Sequence, residues 1–288
     1  LYTLKDQQSR AAGPRWKSAQ SSRNTGDLPA EGEQNPMQLR LINPNTTRGM
    51  TESMGAAARR VASPGTEIIA TQPDSGPVSI EGHFDEAVSA IGVVEEVLAG
   101  ERTGTDAYVI ACFGDPGLMA ARELTRAPVI GIAEAAFHAA TLISTRFSVV
   151  TTLGRTVIIA EHLLQQYGFR EHCRRVRAAE IPVLDLEDNG DAAVERIIEE
   201  GRRARDEDGI GALVLGCGGM SELTDHIGRE VGLPVVDGVT AAVKLCEALV
   251  GLGLGTSKCG DLAFPRTKTF TGRFEGYSKI GDGQHQGS

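Results

Sequence analysis

The sequence predicts an α/β protein of two similar halves, each a mostly parallel sheet flanked by helices, with the functional cleft between them. Three observations carry this. From about residue 37 onward, short apolar runs alternate with amphipathic helical stretches, the pattern of repeated strand–helix units that gives parallel sheets covered on both faces. A glycine-flanked cysteine closes one such run at Cys112, and another does so 105 residues later at Cys217. The surroundings match too: Pro128-Val129-Ile130 begins 16 residues after Cys112 and Pro234-Val235-Val236 begins 17 after Cys217, while strands ending at Asn43 and Thr151 stop 69 and 66 residues before them. Matched spacing marks an internal repeat, and each half then offers a cysteine at a strand's C-terminal end, where open α/β sheets place ligands.

Taken in order, residues 1–36 are rich in Ser, Gln, Asn, Arg and Pro with an isolated Trp16; they read as a disordered leader. Leu39 to Asn43 is the first strand, and Asn43-Pro44-Asn45-Thr46-Thr47 is a turn and cap cluster launching a helix to about Val61. Thr66 to Thr71 is the second strand. The loop 72–82 is long for its place and so a candidate for function. In the next helix Phe84, Val88, Ile91, Val94 and Leu98 fall at helical spacing and are expected to face the core. Tyr108 to Ala111 is an interior strand. After it, Asp115-Pro116 reads as a helix start, with the carboxylate as cap and proline at the first helical position. A strand at 129–132 and a helix from about Glu134 to Ser144 follow. The second half runs strand 147–152, helix from Arg155 to about Tyr167, strand near 174–180, loop 181–190, a helix with Val194, Ile197, Ile198 and Gly201 on one face, the Cys217 strand with its helix, strand 234–236 and a last helix from Asp237-Gly238. Gly251 to Gly255 reads as a flexible linker, and residues 275–288, polar and Gly-rich, as a flexible tail. The repeat divides the chain into 37–133 with 238–274 as one half, and 134–237 as the other.

Composition narrows the function. A chain of 288 residues, 41% hydrophobic, is long enough for a substantial core. Its net charge of -9 argues against nucleic acid or an anionic membrane as partner, and no apolar run approaches the roughly 20 residues of a membrane span. Five cysteines, an odd number without a paired framework, fit the reducing cytoplasm. The six histidines are scattered, without metal-ligand spacing, so no metal is expected. His83, just after the long loop, reads as a surface residue at a helix start.

A cysteine at a strand end is most often a small buried hydrophobe, and that reading holds for Cys173, Cys246 and Cys259. Two glycine-flanked cysteines at equivalent turns of a repeat are hard to obtain from packing alone. Each lies where backbone N–H groups and a helix dipole favour a thiolate. Facing one another across a cleft, such a pair suits proton transfer: one sulfur removes a C–H proton from one face of a stereocentre and the other returns a proton to the opposite face. A thiol of ordinary pKa, about 8.5, is a weak base for a carbon acid, so the site must also stabilise an enolate. Backbone around Gly114, Gly218, Gly219 and Met220, with Asn43, Asn45, Thr151 and Thr152, is where donors are expected. For Asn45 and Thr46 helix capping is an equal alternative, and for Thr151 and Thr152 a strand-end turn.

These stretches, Leu41-Ile42-Asn43-Pro44-Asn45-Thr46-Thr47, Gly76-Pro77, Ser79-Ile80-Glu81-Gly82, Ala111-Cys112-Phe113-Gly114-Asp115-Pro116-Gly117, Leu215-Gly216-Cys217-Gly218-Gly219-Met220 and Val236-Asp237-Gly238-Val239, resemble the hydantoin/allantoin racemases of the Asp/Glu racemase superfamily. The resemblance, from Met37 to about Phe274, implies pseudo-symmetric racemase halves, cofactor-independent racemisation of a small-molecule substrate (a 5-substituted hydantoin or allantoin) and homo-oligomers. It implies Cys112 and Cys217 as the acid/base pair, with Asn43, Asn45, Phe113, Gly114, Thr151, Thr152, Gly218, Gly219 and Met220 as the substrate surround. Amino-acid racemases of the superfamily carry Asn-Thr and Thr-His after their cysteines, where this chain has Phe-Gly and Gly-Gly; a neutral ring fits these turns better than an α-carboxylate. The rival readings are an amino-acid racemase or maleate-type isomerase of the superfamily, a one-cysteine decarboxylase, and a non-catalytic small-molecule sensor.

Overall fold

The computed structural model describes residues 36–188 and 190–280; the expected leader, apart from Pro36, and the last eight residues of the tail lie outside them. The elements are β1 (Met37–Ile42), α1 (Arg48–Val61), β2 (Thr66–Thr71), α2 (His83–Glu101), β3 (Ala107–Ile110), α3 (Leu118–Leu124), β4 (Val129–Gly131), α4 (Ile132–Ile143), β5 (Phe147–Thr151), α5 (Gly154–Gln166), β6 (Cys173–Ala178), α6 (Asp185–Asp188), α7 (Gly190–Asp208), β7 (Ala212–Leu215), α8 (Thr224–Val231), β8 (Val235–Val236) and α9 (Gly238–Gly251). They form two four-stranded sheets, ordered β2-β1-β3-β4 and β6-β5-β7-β8. All strand pairs are parallel. Adding four to each strand number of the first sheet gives the second, so the repeat legible in the spacing is a repeat of topology.

The strands with a neighbour on each side behave as apolar runs must. Every residue of β3, β5 and β7 is buried, because helices cover both faces of a parallel sheet. One core cluster joins the two sheets, running from Leu39, Leu41 and Val109 through Phe137 to Phe147, Val149 and Val214, with Val239 and Val243 of α9. Two smaller clusters close the outer faces: Val93, Val97, Tyr108 and Leu118 on the first sheet, Ile197, Ile198, Leu213 and Ile227 on the second. Phe137 is the hinge pin of this core. Phe113 meets it edge-on at 5.6 Å and Phe147 stacks on it at 5.7 Å, and burying rings of this size contributes about 1.5–3 kcal/mol each.

Four local expectations about elements are corrected, as is one about a side chain: Cys259 is exposed rather than buried. The stripe on α2 holds only at its C-terminal end: Val94 and Leu98 pack against the outer cluster of the first sheet, but Phe84 is 81% exposed and Val88 38%, while the helix buries Ser89, Gly92, Val93, Val97 and Gly100. The reason is close approach. A β-carbon on Gly92 would lie 2.7 Å from Pro73, and one on Gly100 would lie 2.5 Å from the Tyr108 hydroxyl, so the smallest residues define the inner face. Second, Asp115 and Pro116 do not begin a helix; α3 starts at Leu118, after Gly117 at φ 71°. Third, the loop expected over 181–190 contains the short helix α6. Fourth, Gly251 to Gly255 is anchored rather than loose: Thr256 N donates to Arg126 O at 2.8 Å and its hydroxyl to Ala127 O at 2.7 Å. Beyond it, residues Gly272–Lys279 form 3-10 turns. Tyr277 there donates to Glu95 on α2 at 3.0 Å, and Ile280 packs on the outer cluster of the first sheet, so the described part of the expected tail is held down.

Candidate active site

Strand register brings the site together. Ile42 pairs with Ile110 and Ala111 N then donates to Ile42 O at 2.8 Å, so Asn43 and Cys112 leave the first sheet side by side. In the second sheet Val150 pairs with Leu215 and Gly216 N donates to Val150 O at 2.8 Å, which delivers Thr151, Thr152 and Cys217 in the same way. The two sets of strand ends wall a single cavity of about 60 Å³. Cys112 and Cys217 both line it, with Asn43, Asn45, Phe113, Gly114, Thr151, Thr152, Gly218 and Gly219. Met220 does not. Its side chain is fully buried in the outer core of the second sheet, and its backbone N–H closes the turn onto Cys217 O at 3.2 Å.

Several expected polar contacts are spent within the protein. Asn43 Nδ2 donates to Asn45 Oδ1 at 2.8 Å and to Thr51 Oγ1 at 2.9 Å, and Asn43 Oδ1 accepts from Asn45 N; its first task is to build the turn. Asn45 Oδ1 also accepts from Thr47 N at 2.9 Å. Among the described residues the Asn45 amide nitrogen meets only the weak acceptor Met50 Sδ, at 3.6 Å, and is the better placed of the two to meet a ligand oxygen. The Thr151 hydroxyl lies 2.9 Å from that of Thr156 and 3.3 Å from Gly216 O. Sequence reading missed the apolar wall (Met50, Met54, Ile80, Ile159, Val183) and the carboxylate Glu86, all on the cavity; Ile80 and Glu86 flank the end of the long loop, the one signal available. That loop also crosses to the other half: Glu81 Oε1 accepts from Val183 N at 2.9 Å.

Both cysteines are half-buried and line the cavity. The protein around them still withholds most of the solvation a thiolate would need. Burial pushes the Cys112 thiol far above its usual value; an N–H from Gly114 works against this, and Cys217, Asp115 and Glu86 add to it. Burial pushes Cys217 up to about 11, opposed by an N–H from Gly219 and assisted by Glu81 and Asp237. The thiolate forms are thereby scarce and strongly basic. Among the described residues no group of three or more His, Cys, Asp or Glu converges as a metal ligand set.

The model of the Asp/Glu/Hydantoin racemase family matches residues 39–246, spanning both cysteines and both sheets. The chain belongs to that family. As a member of the Asp/Glu/Hydantoin racemases it is similar to a hydantoin racemase of Rhizobium meliloti, 50% identical over 236 residues covering 82% of this chain and 98% of the relative. A hydantoin racemase of Pseudomonas sp. (strain NS671) is 44% identical over 243 residues, 84% of this chain and 98% of that one. Among solved structures, allantoin racemase from Klebsiella pneumoniae superposes with a TM-score of 0.83 at 58% identity, covering 85% of this chain and all of that one. The racemase fold of two helix-flanked parallel sheets is thus the fold of this chain.

Proposed function

We propose that the chain inverts the C5 stereocentre of a hydantoin-ring compound, a 5-substituted hydantoin or allantoin, by proton transfer between Cys112 and Cys217 without a cofactor. The observation that carries this is the placement of one cysteine at the equivalent strand end of each sheet, both on one small cavity. The names of its close relatives supply the substrate class. The ring carbonyl next to C5 takes up the charge of the departing proton. Asn45 Nδ2 and the backbone of the two glycine turns are the donors that would hold the resulting enolate. Burial serves the chemistry here, since a thiolate of higher pKa is a better match for a weakly acidic C–H. In this reading 37–133 with 238–274 and 134–237 are the two halves that carry the sulfurs. The reading also takes the enzyme to act in the cytoplasm as a homo-oligomer, supported by the unpaired cysteines and by the exposed Phe84 and Leu142. Among the described residues no helix is long and apolar enough to cross a membrane.

The test is to incubate the protein with each enantiomer of allantoin and of a 5-alkylhydantoin in deuterated water, following optical rotation and C5 label. Loss of rotation with one deuterium gained per inversion is expected. Binding without inversion or label supports a sensor instead, and activity confined to free aspartate, glutamate or maleate supports the other enzymes of the superfamily.

A further inference from the structure

A two-sulfur inversion leaves the enzyme in the wrong state. If Cys217 begins as thiolate and Cys112 as thiol, the C5 proton passes to Cys217 while Cys112 gives its proton to the other face of the carbon. The product leaves behind a Cys217 thiol and a Cys112 thiolate. Before the same enantiomer can react again, one proton must leave Cys217 and one must reach Cys112. Both sulfurs sit in a small cavity, so the route of that exchange is a structural question.

One titratable side chain spans the wall between this cavity and a wider groove. Glu86, in the first turn of α2, lines the cavity and also lines a second, wider groove of about 480 Å³ behind it. Gly114 and Ile159 are shared in the same way. The inner side of Glu86 rests on Gly114, where a β-carbon would sit 2.8 Å from Glu86 Oε1; Gly114 is the residue whose N–H is directed at Cys112. On the outer side, His83 Nδ1 lies 3.5 Å from Glu86 Oε2, and His83 stacks on His162 of α5 at 6.5 Å between ring centres. Both histidines are exposed and line the groove. The bland alternative is that Glu86 merely complements the helix dipole. Asp85 stands in the same first turn, but its carboxylate turns back to Glu81 N at 3.0 Å, whereas that of Glu86 lies over Gly114 on the cavity.

We infer that Glu86 is the proton port of the site, the group through which Cys112 exchanges with solvent between turnovers, with His83 and His162 at its outer end. The neutral Glu86 carboxyl protonates the Cys112 thiolate and becomes a carboxylate; water in the groove or a protonated histidine restores it, and Cys217 releases its proton to water in the emptied cavity. One proton enters and one leaves. The groups facing Glu86 are His83 on its own helix, His162 on α5, and Cys112 on the turn after β3. Burial raises the Glu86 pKa above the ordinary glutamate value against the pull of His83 and His162, which keeps more of the neutral donor form present near neutral pH.

This rests on the racemase reading, and the experiment separates the two. With enzyme in excess over one enantiomer of allantoin, a single inversion is timed; with substrate in excess, steady-state turnover is measured. Glu86→Gln is expected to lower steady-state kcat about tenfold or more, with KM little changed and the single inversion slowed far less, because general acid–base groups contribute about 10²–10⁴. Added formate should restore part of the lost kcat. A wild-type enzyme that inverts allantoin beside an E86Q variant with full kcat overturns the port and leaves the racemase reading standing, whereas a wild type that neither inverts nor labels fails the racemase reading itself. Equal loss in both regimes without rescue also overturns the port, pointing to a structural role. The His83→Ala, His162→Ala double variant, which changes only exposed side chains, is expected to lower kcat at least twofold; an unaltered kcat overturns the outward route and covers the case in which E86Q does not fold.

Discussion

The Cys112 turn and the Cys217 turn do the same mechanical job with reversed polarity. In the first half the acid is on the cysteine turn: Asp115, at φ 45°, reaches across to accept from Ala133 N and Glu134 N at 3.0 Å each, capping α4, and accepts from the Tyr167 hydroxyl at 2.9 Å. In the second half the acid is on the helix. Asp237 caps its own α9 through Val239 N and Thr240 N and accepts from Ser221 on the cysteine turn at 2.6 Å. Each cysteine turn is therefore tied to the helix that follows the next strand, but the charge sits at opposite ends of the tie. The two thiols end up unequal. Burial raises both and holds Cys112 above Cys217; each also has two acidic neighbours, Glu86 and Asp115 for Cys112 and Glu81 and Asp237 for Cys217, and Cys112 alone is raised further by its sulfur partner.

The largest effect expected is from the sulfurs themselves. Cys112→Ser or Cys217→Ser should lower racemisation about 10³-fold, with each variant keeping label exchange of a single, opposite enantiomer; full activity in either breaks the pairing of the two turns. Next is pH. Because both thiols lie high, Cys217 at about 11, kcat/KM should climb close to tenfold per unit from about pH 7 to pH 9 as the thiolate fraction grows, and a flat profile would show the sulfurs to be less basic than the geometry implies. Stability separates the two ties. Asp115→Ala leaves two helix N–H groups and a buried hydroxyl unpaired and should cost about 2–4 kcal/mol in urea unfolding. Ser221→Ala removes one donor and should cost about 1 kcal/mol. Finally, burial pushes Asp115 up to about 7, above the value near 3.9 of an unfolded aspartate. Its contribution is complete below about pH 4 and drains as pH rises through about 7. The stability gap between wild type and Asp115→Asn should accordingly shift against the wild type between about pH 4 and pH 7 and level off above it.

The sheets and the cysteines were legible because strand periodicity and repeat spacing are local properties of the chain. Cys112 and Cys217 reach one cavity since their strands end level with Ile42 and Val150, which the matched spacing encodes. What escaped depends on contacts across sequence. Asp115 followed by Pro116 has every local mark of a helix start, yet a β-carbon on Gly131 would fall 2.2 Å from its carboxyl carbon; that bare position lets the carboxylate cap α4 from 18 residues away. The faces of α2 are hard to tell apart in sequence for a related reason, as Gly92 and Gly100 carry no hydrophobic signal while Phe84 carries a strong one. Glu86 passed unnoticed because nothing in sequence says that a helix's first turn will lie against the Cys112 turn. Met220 is expected at the site for its backbone N–H, yet the 3-10 turn spends that N–H on Cys217 O and points the side chain into the core.

Gly218 sets a dimension of the molecule. A β-carbon there would lie 2.5 Å from Met54 Sδ and 3.1 Å from Ala111 O, both on the first half, so main chain meets main chain at the base of the cleft. The floor of the cleft between the two cysteine turns is thereby set by backbone contact. Trimming or enlarging Ile80, Ile159 or Val183 would reshape the apolar wall of the cavity, while that floor stays as the glycine fixes it.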